Sequence, residues 1–287
     1  MNRISIAGCG LMGSALIRTL AGQGQEVVVW NRTPGKAEAL ALPGVSVAPS
    51  FGEALSSCSL MILILADPGY AASARLLEES GDALAGKLVI QLSTGGDDDA
   101  RRLDALVKRF GGRYLDGAIL VDPAAIGKPE SCIIYSGDPA GFEAAKPVLE
   151  RLASARFVGD EAATAAILEL TLNIACLPME VGFLQARRIC ESRQLPLERF
   201  DSLVQWFLTN HLGRLLQWMK QSPGSMRSGA TVSLLAELSA AVAGHVREQG
   251  DIDPGMFDAL ASLYEAGVAA GRGSDDSLCV AELRART

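Results

Sequence analysis

Metal-ligating side chains are scarce and scattered in this chain. Its 287 residues include two histidines, His211 and His245, and six cysteines, Cys9, Cys58, Cys132, Cys176, Cys190 and Cys279, with no C-x-x-C pair among them. Zinc sites take their ligands at short regular spacings and small secreted scaffolds are dense in cysteine, so neither a metal site nor a disulfide framework is expected. Aromatic residues make up only 5% of the chain, and 26 Lys plus Arg face 33 Asp plus Glu, for a net charge of -7. That balance argues against a nucleic-acid surface. A basic leader with an apolar signal core is missing, and the uninterrupted apolar runs are too short to cross a bilayer, so a soluble, cytoplasmic protein is expected. What the chain has in quantity is apolar mass: 49% hydrophobic residues exclude a disordered protein, and the length suffices for two domains.

The most informative stretch is the first thirty-three residues. Arg3–Ala7 is a short β-rich run, and it leads into Gly8-Cys9-Gly10-Leu11-Met12-Gly13 and then into the helical pattern of Ala15, Leu16, Ile17 and Leu20. In this strand, turn and helix, Gly8 makes the tight turn, Gly10 admits a pyrophosphate close to the backbone, and Gly13 lets the helix pack on the strand. The anion would rest on the free N–H groups of the helix start. The second strand, Glu26–Trp30, ends in Asn31-Arg32-Thr33, where an NAD site would place an acid against the adenine ribose. No acid stands there. Arg32, with Thr33 and Lys36 nearby, suits a 2′-phosphate instead, so NADPH is the expected cofactor.

Further along, the apolar run Leu60–Leu65 and the segment Lys87–Leu92 read as buried parallel strands. Their ends, Leu65-Ala66-Asp67 and Ser93-Thr94-Gly95, fall where doubly wound sheets bind ligands. Helices are expected at 34–42, 97–110 and 139–152, and strands at 45–47, 113–118, 133–138 and 156–158. This alternation gives an α/β fold with a Rossmann-type doubly wound sheet over residues 1–159. Residues 160–191 read as one long interdomain helix, bent at Pro178, and 192–287 as an all-helical domain with helices at 197–220, 231–248 and 254–270. On the long helix Glu169, Asn173, Cys176 and Glu180 form one stripe amid apolar neighbours. A carboxyl so placed loses solvation and can serve as a proton donor.

The glycine turn with Met12, the Asn31-Arg32-Thr33 cluster, Ser93-Thr94-Gly95, the long helix and the helical second half resemble the β-hydroxyacid dehydrogenase superfamily. Asp116-Gly117-Ala118-Ile119, Pro123, Ile126-Gly127 and Tyr135-Ser136-Gly137 resemble its imine reductase and reductive aminase branch, over the whole chain to Gly271–Asp276. The resemblance implies reduction of C=N in a small, cyclic imine with NADPH. Glu169 stands where the hydroxyacid branch keeps a catalytic lysine, and Asn173 keeps that branch's asparagine. It also implies a homodimer that exchanges helical domains, with 192–287 serving dimerisation and substrate binding. Leu120, Cys176, Leu177, Met179, Trp206 and Asn210 are candidate walls of the substrate pocket. A hydroxyacid or carbonyl reductase of the same superfamily and a non-catalytic NADPH-binding protein are the two alternatives.

Overall fold

The structure is a computed structural model and describes residues 3–65, 70–220, 227–250 and 252–282. It divides into two compact units, residues 1–173 and 174–287.

The first unit is built on one eight-stranded sheet of order β3-β2-β1-β4-β5-β6-β7-β8. The strands are β1 (Arg3–Ala7), β2 (Glu26–Trp30), β3 (Val45–Val47), β4 (Leu60–Leu63), β5 (Leu88–Gln91), β6 (Arg113–Ile119), β7 (Cys132–Gly137) and β8 (Ser154–Gly159). All neighbours are parallel except β6 and β7. The helices between them are α1 (Leu11–Gly22), α2 (Pro34–Glu38), α3 (Phe51–Ser56), α4 (Ala71–Ser80), α5 (Asp97–Arg109) and α6 (Pro139–Leu149).

The continuous apolar runs have a two-sided cause. In β4, Leu60 and Ile62 join one core cluster with Leu16 and Ile17 of α1, while Met61 and Leu63 join the other with Phe51 and Leu103. Each face of the sheet is covered by helices, so successive residues must all be apolar. The one polar residue of β1 facing this interior, Ser5, is wholly buried and satisfied by the Leu60 carbonyl at 3.2 Å.

Several boundaries differ from expectation. The helix expected over 34–42 stops at Glu38, four residues before Leu42, which Pro43 disfavours in a helical conformation. Strand β4 ends at Leu63, not Leu65. Helix α3 was not anticipated, although its signal is present: Ser50 accepts the Glu53 N–H at 3.1 Å as an N-cap.

Helix α7 (Thr164–Ser192) starts four residues later than expected and continues through Pro178. Its entry is fixed by Ser136, whose hydroxyl donates to the Ala162 carbonyl at 2.7 Å and accepts the Ala165 N–H at 2.9 Å. By length and composition alone α7 is long and apolar enough to cross a membrane, its most apolar 18-residue window having a mean hydropathy of 1.6. Glu169 and Glu180 interrupt the apolar run without lowering that average enough to fail the criterion.

The described part of the second unit is helical: the rest of α7, then α8 (Leu197–Phe207), α9 (Gly213–Met219), α10 (Val232–Gln249) and α11 (Gly255–Ala269), with an isolated bridge between Thr231 and Asp276. The single helix expected at 197–220 is divided by a π-helical turn, Leu208–Leu212. Thr209 donates to the Gln205 carbonyl at 2.9 Å and Asn210 to the Trp206 carbonyl at 2.7 Å, so side chains compete for backbone acceptors where the helix widens. The loop before α10 is held by Asp276, which accepts the N–H groups of Ser228 at 2.8 Å and Gly229 at 3.1 Å.

Candidate cofactor and active site

At the end of β1 the backbone turns with Gly8 at φ +113°, a conformation open to glycine and strained for other residues. A Cβ at Gly8 would overlap the Ile64 carbonyl, and one at Gly13 would overlap the Gly8 carbonyl. Strand, turn and helix are thus packed backbone to backbone. Gly10, the N-cap of α1, differs: a Cβ there would meet nothing within 4 Å. No acidic side chain lies in the first turn of α1 and no side chain caps it, so its end keeps donors for an anion. Asn31 braces the turn by accepting the Cys9 N–H at 3.0 Å and donating to the Thr33 carbonyl at 3.0 Å. Burial pushes the Cys9 thiol up to about 11, against the pull of Lys36, so it is no nucleophile at neutral pH.

Two cavities open from this turn and adjoin at Gly10, Ile64 and Leu65. The first, of about 130 Å³, is lined by Gly8, Gly10, Asn31, Arg32, Thr33 and Lys36, together with Trp30, Ala72, Arg75 and Leu76. Arg32, Lys36 and Arg75 are exposed and form no ion pair among the described residues. Three free cations around one small cavity in an acidic chain suit a phosphate. Trp30 is held by an edge-on contact with Phe51, ring centroids 5.4 Å apart.

The second cavity, of about 270 Å³, is lined by Leu11, Met12, Gly13, Leu65, Ser93, Thr94 and Glu169, with Leu92 and Ile119. Ser93 is buried and accepts the Leu65 N–H at 2.8 Å, tying the ends of β4 and β5 together. Glu169 is partly buried. Burial raises its carboxyl above the ordinary 4.5, opposed by a hydrogen bond with the Thr94 side chain.

The sequence-derived residues are therefore sorted by place. Gly8, Gly10, Leu11, Met12, Gly13, Asn31, Arg32, Thr33, Lys36, Leu65, Ser93, Thr94 and Glu169 line the two joined cavities. Ala66 and Asp67 lie outside the described residues. Asn173 is exposed one helical turn beyond Glu169 and does not line either cavity. Leu120 packs instead against Ala118, Ile134 and Ala165, because alternation along β6 turns Ile119 to the cavity and its neighbours away. Cys176, Leu177 and Met179 on α7, and Trp206 and Asn210 further on, belong to the second unit; Leu177 and Trp206 are 56% and 61% exposed.

Sequence reasoning missed Arg75 and Asp116. Arg75 is one of several charges on an amphipathic helix, and only its place after β4 marks it. Asp116 had a signal, a lone carboxylate inside the apolar strand Tyr114–Ala118. It accepts hydroxyls from Tyr70 at 2.8 Å and Tyr114 at 2.9 Å.

Residues 3–162 match the family described as the NAD binding domain of 6-phosphogluconate dehydrogenase. Over 279 residues the chain is 27% identical to the NADPH-dependent reductive aminase of Aspergillus oryzae, covering 95% of this chain and 94% of the relative. A reductive aminase from Aspergillus terreus, solved with NADPH4, cyclohexanone and allyl amine, superposes with a TM-score of 0.89 at 29% identity, covering 98% of each chain. An imine reductase from Myxococcus stipitatus in complex with NADP+ gives a TM-score of 0.85 at 29% identity, covering 98% of this chain and 99% of that one.

Proposed function

We propose a function from the premise that this chain belongs to the family defined by the NAD binding domain of 6-phosphogluconate dehydrogenase: it is an NADPH-dependent oxidoreductase that reduces the C=N bond of a small imine. Within the family its likeness runs, over nearly its full length, to reductive aminases and imine reductases.

The residues present fit the cofactor. The glycine turn and the open N-terminus of α1 would hold the pyrophosphate, Gly10 leaving room for it. Asn31, Arg32, Thr33 and Lys36 would hold the 2′-phosphate, joined by Arg75. Leu65, Ser93 and Thr94 would border the nicotinamide half. NADPH, when bound, supplies hydride from its nicotinamide C4 to the imine carbon. The chain's part is to place the substrate nitrogen near an acid.

One observation carries the reading: a carboxyl, Glu169, faces the same cavity as the glycine turn, where the alcohol-oxidising branch keeps a lysine. A lysine takes a proton from a hydroxyl. A carboxyl beside C=N instead donates the proton that nitrogen needs, or balances the charge of the iminium. Burial supports this role by keeping Glu169 protonated to higher pH than a solvated glutamate.

The active enzyme is a cytoplasmic homodimer in this reading, with helical domains exchanged so that Cys176, Leu177, Met179, Trp206 and Asn210 wall the substrate site. The support is the apolar surface of the helices: Leu170, Ile174 and Leu184 are each more than 60% exposed. NADPH oxidation with a panel of small cyclic imines tests the activity. Glu169→Gln should lower turnover by about 10²-fold or more, the usual contribution of a general acid. Parent-like turnover in that variant, or preferred oxidation of a hydroxyacid with NADP+, overturns the assignment.

A further inference from the structure

Asp116 is a buried charge that the reaction as described leaves unused. It is 1% exposed at the middle of β6, with Gln91 of β5 and Ser136 of β7 as its register neighbours. Tyr70, the N-cap residue of α4, and Tyr114 both donate to its Oδ1, at 2.8 and 2.9 Å. Its Oδ2 is enclosed without a hydrogen-bond partner among the described residues. The two hydroxyls favour the carboxylate, but with its other oxygen enclosed and unpartnered the anion is desolvated, and burial favours the neutral acid.

The same elements frame Glu169. Ser136, opposite Asp116 in the sheet, pins the entry of α7 through the Ala162 carbonyl and the Ala165 N–H. Ala165 packs on Ala118 and Ile134, and Glu169 lies four residues on, along the same side of the helix. From the other direction, the Tyr70 ring lies so close to Gly95 that no side chain fits there, and Gly95 follows Thr94, which hydrogen-bonds Glu169. Burial raises the pKa of the Tyr70 hydroxyl, and both carboxyls raise it further.

We propose that Asp116 is a positioning residue for the acid chemistry of Glu169: the two carboxyls titrate as one coupled pair, and the working enzyme is the form in which the pair holds a single proton. This deepens the imine-reducing assignment and rests on it. The groups facing the pair are acids and phenols. They are Tyr70, Tyr114 and Glu161, with Asp99 acting on Tyr70 and Asp104 on Tyr114 from α5; Arg101 is engaged with Glu161 at 3.0 Å. Burial pushes the Asp116 carboxyl up to about 7; the tyrosine hydroxyls pull it down, and Glu169 and Glu161 push it further up. A carboxylate that opposes the ionisation of a second carboxyl separates their two proton losses.

The test is the pH dependence of kcat for NADPH-driven reduction of a small cyclic imine by the parent, Asp116→Asn and Tyr70→Phe. In the parent, activity falls above the pair's upper ionisation, near neutral pH. Asp116→Asn moves that limb to lower pH, because Glu169 then titrates alone, without a second carboxylate opposing its ionisation. Tyr70→Phe moves the limb to higher pH, because a donor that favours the carboxylate is lost. A limb unmoved in both variants, or a uniform loss of activity at every pH, overturns the proposal. A second readout needs no turnover: a 13C NMR titration of the aspartate carboxyls, with Asp116→Asn assigning the signal. Asp116 titrating near its ordinary 3.8 overturns the pair, as does a titration that Glu169→Gln fails to shift downward. An Asp116 that titrates near neutrality and responds to Glu169→Gln, in a protein that reduces no imine, supports the coupled titration and rejects the imine assignment instead.

Discussion

Arg75 enters the first cavity from α4, while Arg32 and Lys36 enter it from the end of β2 and from α2. A charge-assisted hydrogen bond to phosphate contributes about 1.5–3 kcal/mol, roughly ten- to a hundredfold in affinity. Arg75→Ala and Arg32→Ala should each weaken NADPH by about that factor and leave NADH nearly unchanged, as read by quenching of protein fluorescence on cofactor titration. Equal losses for both cofactors would place these side chains on the adenine or the pyrophosphate. Asp116 makes a separate residue-level prediction about stability. Its carboxyl is raised from 3.8 to about 7 in the folded protein, so the folded state binds the extra proton and stability falls as pH rises through that window. Asp116→Asn removes this dependence. Relative to the parent, the variant should gain on the order of a few kcal/mol between pH 4 and pH 8, measured by urea unfolding at each pH.

At the scale of elements, the glycine turn separates folding from binding. A methyl at position 13 has no room against the Gly8 carbonyl, whereas one at position 10 meets open space. Gly13→Ala should therefore lower the melting temperature by several degrees, corresponding to about 1–3 kcal/mol. Gly10→Ala should melt with the parent and still bind NADPH more weakly, since its methyl enters the space reserved for the pyrophosphate. A melting curve and a cofactor titration on the same two variants distinguish the roles. These elements were legible because each has a local cause: β1, β4 and β5 are short apolar runs bounded by turns, and the Gly8–Gly13 spacing encodes its own geometry. The less legible features depend on partners distant in sequence. The antiparallel turn from β6 to β7 is not written in either strand. The late start of α7 is set by Ser136, 28 residues before Thr164. The π turn at Leu208–Leu212 arises from side chains of ordinary helical composition capturing carbonyls. Likewise Arg32 could be placed in the site from its strand end, while Arg75 needed the fold to bring α4 beside it.

For the whole molecule, the exposed apolar residues of α7 and the helices after it are the feature that calls for a partner surface. Leu184 of α7 is 68% exposed and Leu203 of α8 64%, an amount of uncovered apolar surface that marks an interaction face. Sedimentation at micromolar concentration should give twice the mass of one chain. Leu184→Glu should shift that equilibrium toward the single chain and lose imine turnover, while NADPH still binds the first unit. A monomeric parent with full activity would remove the exchanged-domain arrangement.

The three unpaired cations also have a kinetic consequence, because they sit on a chain of net charge -7. A multiply anionic nucleotide is repelled by the distant field and attracted only within about a Debye length of the cluster, roughly 8 Å at physiological ionic strength. Added salt then acts twice, lowering the outer barrier to arrival and loosening the inner grip, so capture and release of the nucleotide should both quicken as salt rises.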